Sequence, residues 1–276
     1  MRCIPPSLRR PISRLLSSKK TYASTSIWSL EEVKAAGRPF GATLNDVVMA
    51  VLSAAIRKYL IHTQCPVVEA NKDLEIRNLS ILNTRALSDM DGILAEFEKG
   101  ETSNEFSYVV SRMFVGDMSM VERLKKCSMQ MDELKRSPEA YIMRDSNDCL
   151  KKMFGGKFVV DFTSDKVINK FHNSFSNVPG PQKKLRLCGE EMEMMANFVH
   201  PMFYGYALST QSYNGKIVTN VACDSEIMTE PDLFVKYADE AFLEMCEAAE
   251  KERKRVAVAD KEANEVQSDL ISDNNL

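Results

Sequence analysis

The chain has 276 residues, of which 44% are hydrophobic and 27% charged, and its formal net charge is −3. This composition excludes a disordered or fibrous protein, and the mild negative charge argues against a general nucleic-acid binder. No apolar run in the sequence reaches the ~18 residues that a transmembrane helix requires. The seven cysteines are scattered and never spaced C-x-x-C, so we expect reduced thiols, without a disulfide framework or a zinc site.

The two ends of the chain are polar and differ in charge. Residues 1–20 carry six Lys or Arg, and no acidic residue precedes Glu31. Such a segment is consistent with a linker, a transit peptide or a contact with a membrane surface. Residues 251–276 are polar and indicate a helix end followed by a disordered tail.

The clearest predicted helix covers residues 41–60, GATLNDVVMAVLSAAIRKYL. Thr43 can cap its N-terminus, and Asp46 three residues later completes a capping box. The residues from Val47 to Leu60 are apolar on nearly every side, which predicts a buried helix.

Strands and helices alternate after this helix. β-branched and aromatic residues predict strands over 74–87 and 105–118, and the spacing of apolar residues predicts an amphipathic helix over 119–136. A further helical stretch runs from Pro138 to about Phe154, and a short helix is predicted over 164–173.

The stretch FSNVPGPQKKLRL, residues 175–187, must be extended and then turn sharply, because proline fixes φ and moves the preceding residue out of the helical region. Asn214-Gly215 then joins two strand-like runs over 206–224, and this residue pair favours a β-hairpin. A last helix begins near Pro231, and the order of elements predicts a mixed α/β fold, either α+β or layered α/β. The predicted buried stripe of that helix consists of Phe234, Tyr237, Ala238, Ala241 and Met245.

Three polar residues near these elements are candidates for a function. Helix capping by itself explains Asp46, whereas Asn45 gains little from its place in the first turn. Asn177 is either a turn residue that bonds its own backbone or a site residue. None of the three histidines has an aspartate at a spacing typical of a catalytic base. The G-x-S-x-G, Walker, dinucleotide and H-E-x-x-H motifs are absent from the sequence.

Three segments together resemble one protein family. GATLNDVVMAVLSAAIRKYL, FSNVPGP and SYNGKIVTNVACD occur in the order and approximate spacing of the C-terminal half of the wax ester synthase/diacylglycerol acyltransferase family. The resemblance covers about residues 20–250. It implies an α/β (α+β) fold, a chloramphenicol-acetyltransferase-like lobe with a mixed β-sheet, flanking helices and a late β-hairpin. In this family such a lobe faces a second lobe across an acyl-CoA tunnel.

The resemblance also implies roles for individual residues. Asn45 and Asp46 would support the active site, Asn45 near the reacting atoms and Asp46 at the helix end. The tunnel wall would be shaped by the turn residues Ser176, Asn177, Pro179, Gly180 and Pro181. The family's general base is the second histidine of an H-H-x-x-x-D-G motif, which this sequence does not contain. We therefore assign no catalytic residue and no metal ligand in this chain.

The domain organisation that follows is a basic, flexible inter-lobe linker over 1–25, the acyltransferase lobe over 26–250 and a polar tail over 251–276. The implied reaction moves a fatty acyl group from acyl-CoA to a long-chain alcohol or diacylglycerol, in wax ester or triacylglycerol synthesis. Acyl-CoA is a substrate, and no cofactor is expected. We expect an inactive isolated chain with a missing N-terminal lobe as its partner. We also expect a peripheral position on the cytosolic side of the plasma membrane or endoplasmic reticulum, and no nucleic-acid partner.

Two interpretations of the missing motif remain open. The chain is either the C-terminal part of an O-acyltransferase whose catalytic lobe is lost through truncation or mis-called exons, or a non-catalytic lobe. A non-catalytic lobe would bind acyl-CoA or lipid, or complete another chain's site. A third interpretation, a nucleic-acid binder with a basic arm, is weak because the positive charge is local and lacks interleaved aromatic residues.

Overall fold

A mixed β-sheet forms the centre of the computed structural model, which describes residues 16–83, 106–138, 152–157, 171–201 and 204–273 and a few positions between 142 and 149. The helices are α1 (Leu30–Gly37), α2 (Leu44–His62), α3 (Pro66–Ala70), α4 (Met120–Arg136) and α5 (Pro231–Asp273). The strands are β1 (Lys20–Ser24), β2 (Trp28–Ser29), β3 (Glu75–Asn83), β4 (Phe106–Phe114), β5 (Asn173–Val178), β6 (Arg186–Leu187), β7 (Glu190–Glu191), β8 (Tyr206–Tyr213) and β9 (Lys216–Asp224).

Within the described ranges, seven strands form one sheet in the order β1-β9-β8-β5-β3-β4, and β2 pairs with β9 beside β1. Strand β5 is parallel to both of its neighbours, β3 and β8, whereas the remaining pairs are antiparallel. The C-terminal ends of these three parallel strands therefore lie at the same edge of the sheet. The short strands β6 and β7 pair with each other outside it.

Helix α2 is the core helix of the fold. It begins after Thr43, and both hydrogen bonds of the predicted capping box are present. Every residue from Val47 to Ile56 is buried, because α2 packs against β4, α4 and α5. Full burial of one large aliphatic side chain contributes about 1.5–3 kcal/mol, so this helix supplies a large share of the hydrophobic stabilisation.

The other local predictions are largely confirmed. Strands β3 and β4 lie within the predicted ranges, and α4 fills the range 119–136 with Ser119 as its N-cap. The hairpin β8–β9 turns at Asn214 and Gly215, whose φ values of 46° and 74° are both in the left-handed region that this turn requires. Helix α5 begins at Pro231, as predicted, and its stripe is buried apart from the half-buried Tyr237.

Two sequence predictions need correction. The helix predicted over 164–173 does not extend to its last residues, because Asn173 is the first residue of β5 and pairs with β3 and β8; residues 158–170 lie outside the described part. Cys65 is disulfide-bonded, so the prediction of reduced thiols is wrong at that position. Most of the predicted helix from Pro138 to Phe154 also lies outside the described residues.

Arg123 on α4 is a charged residue that the amphipathic sequence pattern predicts to face solvent, but the structure buries it. Its guanidinium donates to three backbone carbonyls, that of Phe114 at the end of β4 and those of Gly116 (3.2 Å) and Met118 (3.3 Å) in the loop that leads to α4. Burial lowers the pKa of Arg123 to about 10, which still leaves the side chain charged at neutral pH. Arg123 therefore holds the end of β4 and the loop after it by donating to these three carbonyls.

Two elements differ from the segments predicted from the sequence for the two ends of the chain. Helix α5 passes residue 250 and continues to Asp273, and β1 lies inside the segment 1–25 that is interpreted as a linker. Among the described helices, none is by itself long and apolar enough to cross a membrane. One pair, Leu30–Phe40 and Leu44–His62, passes that test of length and composition together, with a bend of 94°, and its second member is the buried helix α2.

Candidate functional site

Asn45 and Asn177, which are 132 residues apart in the sequence, meet at the N-terminus of α2. The side-chain amide of Asn177 donates a hydrogen bond of 2.8 Å from Nδ2 to Oδ1 of Asn45. Both residues are half-buried. Asn177 is near the C-terminal end of β5, so the contact joins the central parallel strand to the first turn of the core helix.

Asp46, the next residue, is held by the helix end. Its Oδ2 accepts from the Thr43 backbone N–H at 2.8 Å, and its own N–H donates to Thr43 Oγ1 at 3.4 Å. The side chain is buried, and Oδ1 has no hydrogen-bond partner within the described residues. This geometry makes Asp46 a residue that fixes the direction of α2, and hence the position of Asn45 beside it.

The stiff turn after β5 is held against the β8–β9 hairpin. The Gly180 N–H donates to Ser212 Oγ at 3.3 Å, and the Asn214 N–H donates to the Pro181 carbonyl at 3.0 Å. A Cβ atom at Gly180 would lie 2.1 Å from the Ser212 carbonyl oxygen, a distance that real side chains do not reach. Glycine is therefore required here by the close approach of two backbones. Pro179, the residue before Gly180, is exposed.

Ser176 is the predicted site residue that the structure separates from the others. Successive side chains of a strand alternate between the two faces of the sheet, so Ser176 and Asn177 lie on opposite faces. Ser176 is buried opposite Ser209 of β8, on the face away from α2. The structure therefore brings Asn45, Asp46 and Asn177 together and places the turn next to them, without Ser176.

The chemistry available at this point is hydrogen-bond donation. Within the described part of the chain, no group accepts a hydrogen bond from the amide nitrogen of Asn45, because its bond to Asn177 uses only its oxygen. The N-terminus of α2 adds the positive end of the helix dipole. Amide N–H groups at a helix N-terminus favour an oxygen that carries or gains negative charge.

The histidines lie elsewhere. His62 is at the other end of α2, about 25 Å from Asn45 along the helix axis, and its Nε2 is 3.5 Å from a Glu230 carboxylate oxygen. His172 precedes the N-terminal end of β5, and Nδ1 of His200 is 3.4 Å from the Tyr22 hydroxyl on the edge strand β1. No cluster of three or more His, Cys, Asp or Glu side chains in the described ranges could hold a metal ion.

Comparison with known proteins decides the family. Residues 102–246 match the family model described as the WS/DGAT C-terminal domain, which is more than half of the chain. The chain belongs to the wax ester synthase/diacylglycerol acyltransferase (WS/DGAT) family. The family assignment made from the three sequence segments is thereby confirmed.

Curated WS/DGAT relatives are about twice as long as this chain. Wax ester synthase/diacylglycerol acyltransferase 11 of Arabidopsis thaliana is 26% identical over 264 residues, which cover 90% of this chain and 52% of the relative. Wax ester synthase/diacylglycerol acyltransferase 3 of the same plant is 26% identical over 216 residues, with 75% and 44% covered. The chain thus spans about half the length of the curated relatives it matches.

Solved structures share the fold. The wax ester synthase/diacylglycerol acyltransferase from Marinobacter aquaeolei VT8 matches with a TM-score of 0.57 at 17% identity, covering 85% of this chain and 50% of that one. The trichothecene 15-O-acetyltransferase from Fusarium sporotrichioides matches with a TM-score of 0.51 at 11% identity, covering 82% and 46%. The predicted chloramphenicol-acetyltransferase-like lobe, with its mixed sheet and flanking helices, is confirmed.

One polar network in this WS/DGAT lobe was not foreseen from the sequence. At the N-terminal end of β5, Asn173 Nδ2 donates to Asn78 Oδ1 at 2.7 Å, and Asn78 Nδ2 donates to Ser80 Oγ at 3.0 Å and Ser111 Oγ at 2.8 Å. All four residues are buried on the α2 side of the sheet. The sequence feature that points to this network is the alternation of polar and apolar residues in the strand-like run RNLSIL, residues 77–82.

Proposed function

We propose that this chain is the C-terminal lobe of an O-acyltransferase that moves a fatty acyl group from acyl-CoA to a long-chain alcohol or diacylglycerol, forming a wax ester or triacylglycerol. The observation that carries the proposal is the hydrogen bond between Asn177 and Asn45 at the N-terminus of α2, in a chain of the WS/DGAT family. The names of the Arabidopsis relatives support the two classes of acceptor.

In the proposed reaction a base removes the proton of the acceptor alcohol, whose oxygen attacks the thioester carbonyl of acyl-CoA. A tetrahedral oxyanion forms, the carbon–sulfur bond breaks, and CoA leaves as a thiol after taking up the proton. The free N–H groups of Asn45 are suited to bind the oxygen that gains charge, and Asn177 holds the Asn45 amide in that orientation. Asp46 fixes the helix end, and the Gly180 turn forms part of the tunnel wall.

The general base in this proposal is a histidine of another lobe, because the sequence does not contain H-H-x-x-x-D-G and its own histidines lie away from Asn45. General-base assistance contributes about 10²–10⁴-fold to such a rate. The partners we propose are therefore acyl-CoA, the acceptor and an N-terminal lobe that carries the motif. We also propose peripheral contact with the cytosolic face of the plasma membrane or endoplasmic reticulum, through attraction of the basic residues 1–20 to anionic lipids.

The test combines the chain with the N-terminal half of Arabidopsis wax ester synthase/diacylglycerol acyltransferase 11. Radiolabelled palmitoyl-CoA is supplied with hexadecanol or dipalmitoylglycerol, and ester product is measured by thin-layer chromatography. We expect no ester from the chain alone and ester from the combination. Asn45→Ala should lower the rate about 10²-fold or more, because one donor to the oxyanion is lost. The exposed Asn71 provides a matched control, and Asn71→Ala should leave the rate unchanged.

A second candidate, a non-catalytic lobe that binds acyl-CoA or completes another chain's site, is favoured by the absence of the motif from this sequence. Binding of palmitoyl-CoA to the chain, without ester formation in the combination with the N-terminal half, would support a lobe that only binds acyl-CoA over the first candidate. Rapid ester formation by the chain alone would contradict both.

A further inference from the structure

A polar cluster at the far end of the sheet from Asn177 joins the start of the described chain to the end of β9. We call it the Asp224 clasp and define it as Ser17, Lys20 and Asp224. The Asp224 side chain is fully buried and accepts from the Ser17 N–H at 2.7 Å and from Lys20 Nζ at 2.7 Å, both at Oδ2. The Ser17 hydroxyl lies 3.1 Å from each carboxylate oxygen, and the Glu226 N–H donates to Oδ1 at 2.9 Å.

These donors keep the carboxylate charged although it is buried. Burial by itself would raise the pKa of Asp224, but the hydrogen bonds from Lys20, Glu226 and Ser17 outweigh it and hold the pKa below the ordinary value of 3.8. Ser17 supplies two of the donors, its backbone N–H and its hydroxyl. A buried carboxylate that loses donors becomes strongly unfavourable, so the clasp is sensitive to any change at Ser17.

The clasp fixes the segment through which the chain enters the sheet. Strand β1 is at the edge of the sheet and pairs only with β9 among the described strands. Ahead of β1, residues 17–19 are held by Asp224, by a 2.6 Å bond from Lys20 Nζ to the Ser17 carbonyl, and by a 3.2 Å bond from the Ser225 N–H to the Lys19 carbonyl. Opening of the clasp would therefore free this segment and weaken the start of β1.

Ser17 also stands in a sequence that a protein kinase could recognise. Arg14 precedes it by three positions in the run Arg14-Leu15-Leu16-Ser17. Kinases that select basic substrates bind an arginine at this spacing through carboxylates of their peptide groove. The hydroxyl is half-buried and bound to Asp224, so access to it requires that the clasp open. We propose that Ser17 is a phosphorylation site for such a kinase and that its phosphorylation holds the clasp open.

The chemistry is ordinary phosphoryl transfer from ATP. The Ser17 oxygen forms a bond to the γ-phosphorus, the bond from that phosphorus to the β-phosphate oxygen breaks, ADP leaves, and the hydroxyl proton passes to the kinase's base. The product carries a charge of about −1.5 to −2 next to a carboxylate that it previously hydrogen-bonded. Lys20 is the only cation bonded to Asp224 in the described part of the chain, and it cannot neutralise both anions.

The first experiment measures the rate of phosphorylation by the catalytic domain of calmodulin-dependent protein kinase II with ATP, mapped by mass spectrometry. The background carries Ser13→Ala and Ser18→Ala, so that Ser17 is the serine available in this segment. Asp224→Asn, which keeps the size of the side chain, should raise the initial rate at Ser17 about tenfold, because it removes charge-assisted bonds that shield the hydroxyl.

The matched control is Asp239→Asn. Asp239 also binds a serine hydroxyl, that of Ser26 at 2.7 Å, but it does not contact the clasp. This variant should be phosphorylated at the rate of the background chain. An equal rate for Asp224→Asn and the background, or no phosphate on Ser17 in either, would overturn the proposal.

The second experiment compares amide hydrogen exchange before and after stoichiometric phosphorylation. The amides of β1 should exchange at least about tenfold faster in the phosphorylated chain, while those of β8 serve as an internal reference and stay unchanged. Ser17→Ala removes the hydroxyl without adding charge and should give a smaller increase. Unchanged exchange in β1 of the phosphorylated chain would show that the phosphate does not open the clasp.

Discussion

The substitution Gly180→Ala tests the close contact between the turn and the hairpin. The new Cβ would lie 2.1 Å from the Ser212 carbonyl oxygen, whereas ordinary contact begins at 3.4 Å, so the two backbones must separate by roughly 1 Å. Overpacking of this kind costs about 1–3 kcal/mol. The separation also lengthens the hydrogen bonds from Gly180 N–H to Ser212 Oγ and from Asn214 N–H to the Pro181 carbonyl, each worth about 1 kcal/mol.

We therefore expect Gly180→Ala to lower the free energy of unfolding by about 2–4 kcal/mol in urea titrations followed by circular dichroism. Gly156→Ala is the matched control, because a Cβ there meets nothing within 4 Å and φ is not positive. It should change stability by less than about 0.5 kcal/mol. If Gly180→Ala were as stable as the parent chain, the argument that backbone approach requires glycine would be refuted.

Three further predictions concern buried polar contacts. The pKa of Asp224 is lower in the folded chain than in the unfolded chain. Its contribution to the free energy of unfolding is therefore present above about pH 4 and is lost as the pH falls through the folded-state pKa. Urea midpoints of the parent chain should decline between about pH 5 and 3, and Asp224→Asn should make this decline shallower. Arg123→Met leaves three backbone carbonyls without their Arg123 donor and should lower the free energy of unfolding by about 2–4 kcal/mol, and an unchanged urea midpoint would contradict this. Trp28→Phe keeps an aromatic ring stacked on Phe242 but loses the 2.7 Å bond from Nε1 to Asp239, so the free energy of unfolding should fall by about 1–2 kcal/mol, and an unchanged urea midpoint would contradict this.

The elements that sequence reasoning located well are those whose signals are local. The capping residues of α2, the Ser119 cap of α4 and the Asn214-Gly215 turn each act within four residues of the structure they specify. The incorrect helix prediction over 164–173 has a non-local cause. Asn173 pairs with Asn78 and Tyr206, and strand pairing with residues distant in sequence outweighed a local helix signal.

The candidate site shows the same division. The sequence marks Asn45 and Asn177 separately, Asn45 because capping does not explain it and Asn177 because it stands beside a proline-rich turn. Neither of these sequence features involves the other residue, so the hydrogen bond between Asn45 and Asn177 could not be derived from their spacing. The family resemblance implies a tunnel role for both Ser176 and Asn177, but the alternation of side chains in β5 places Ser176 on the opposite face of the sheet from Asn177.

The sequence by itself determined where the core helix starts, where the hairpin turns, and that a proline-flanked glycine ends the central strand, because each depends on backbone preferences of a few adjacent residues. Only the tertiary structure decided that Asn177 reaches Asn45, that Gly180 must approach Ser212, and that Asp224 binds Ser17 from 207 positions away. These contacts arise from the order and direction of strands in the sheet, which the packing of the whole lobe selects.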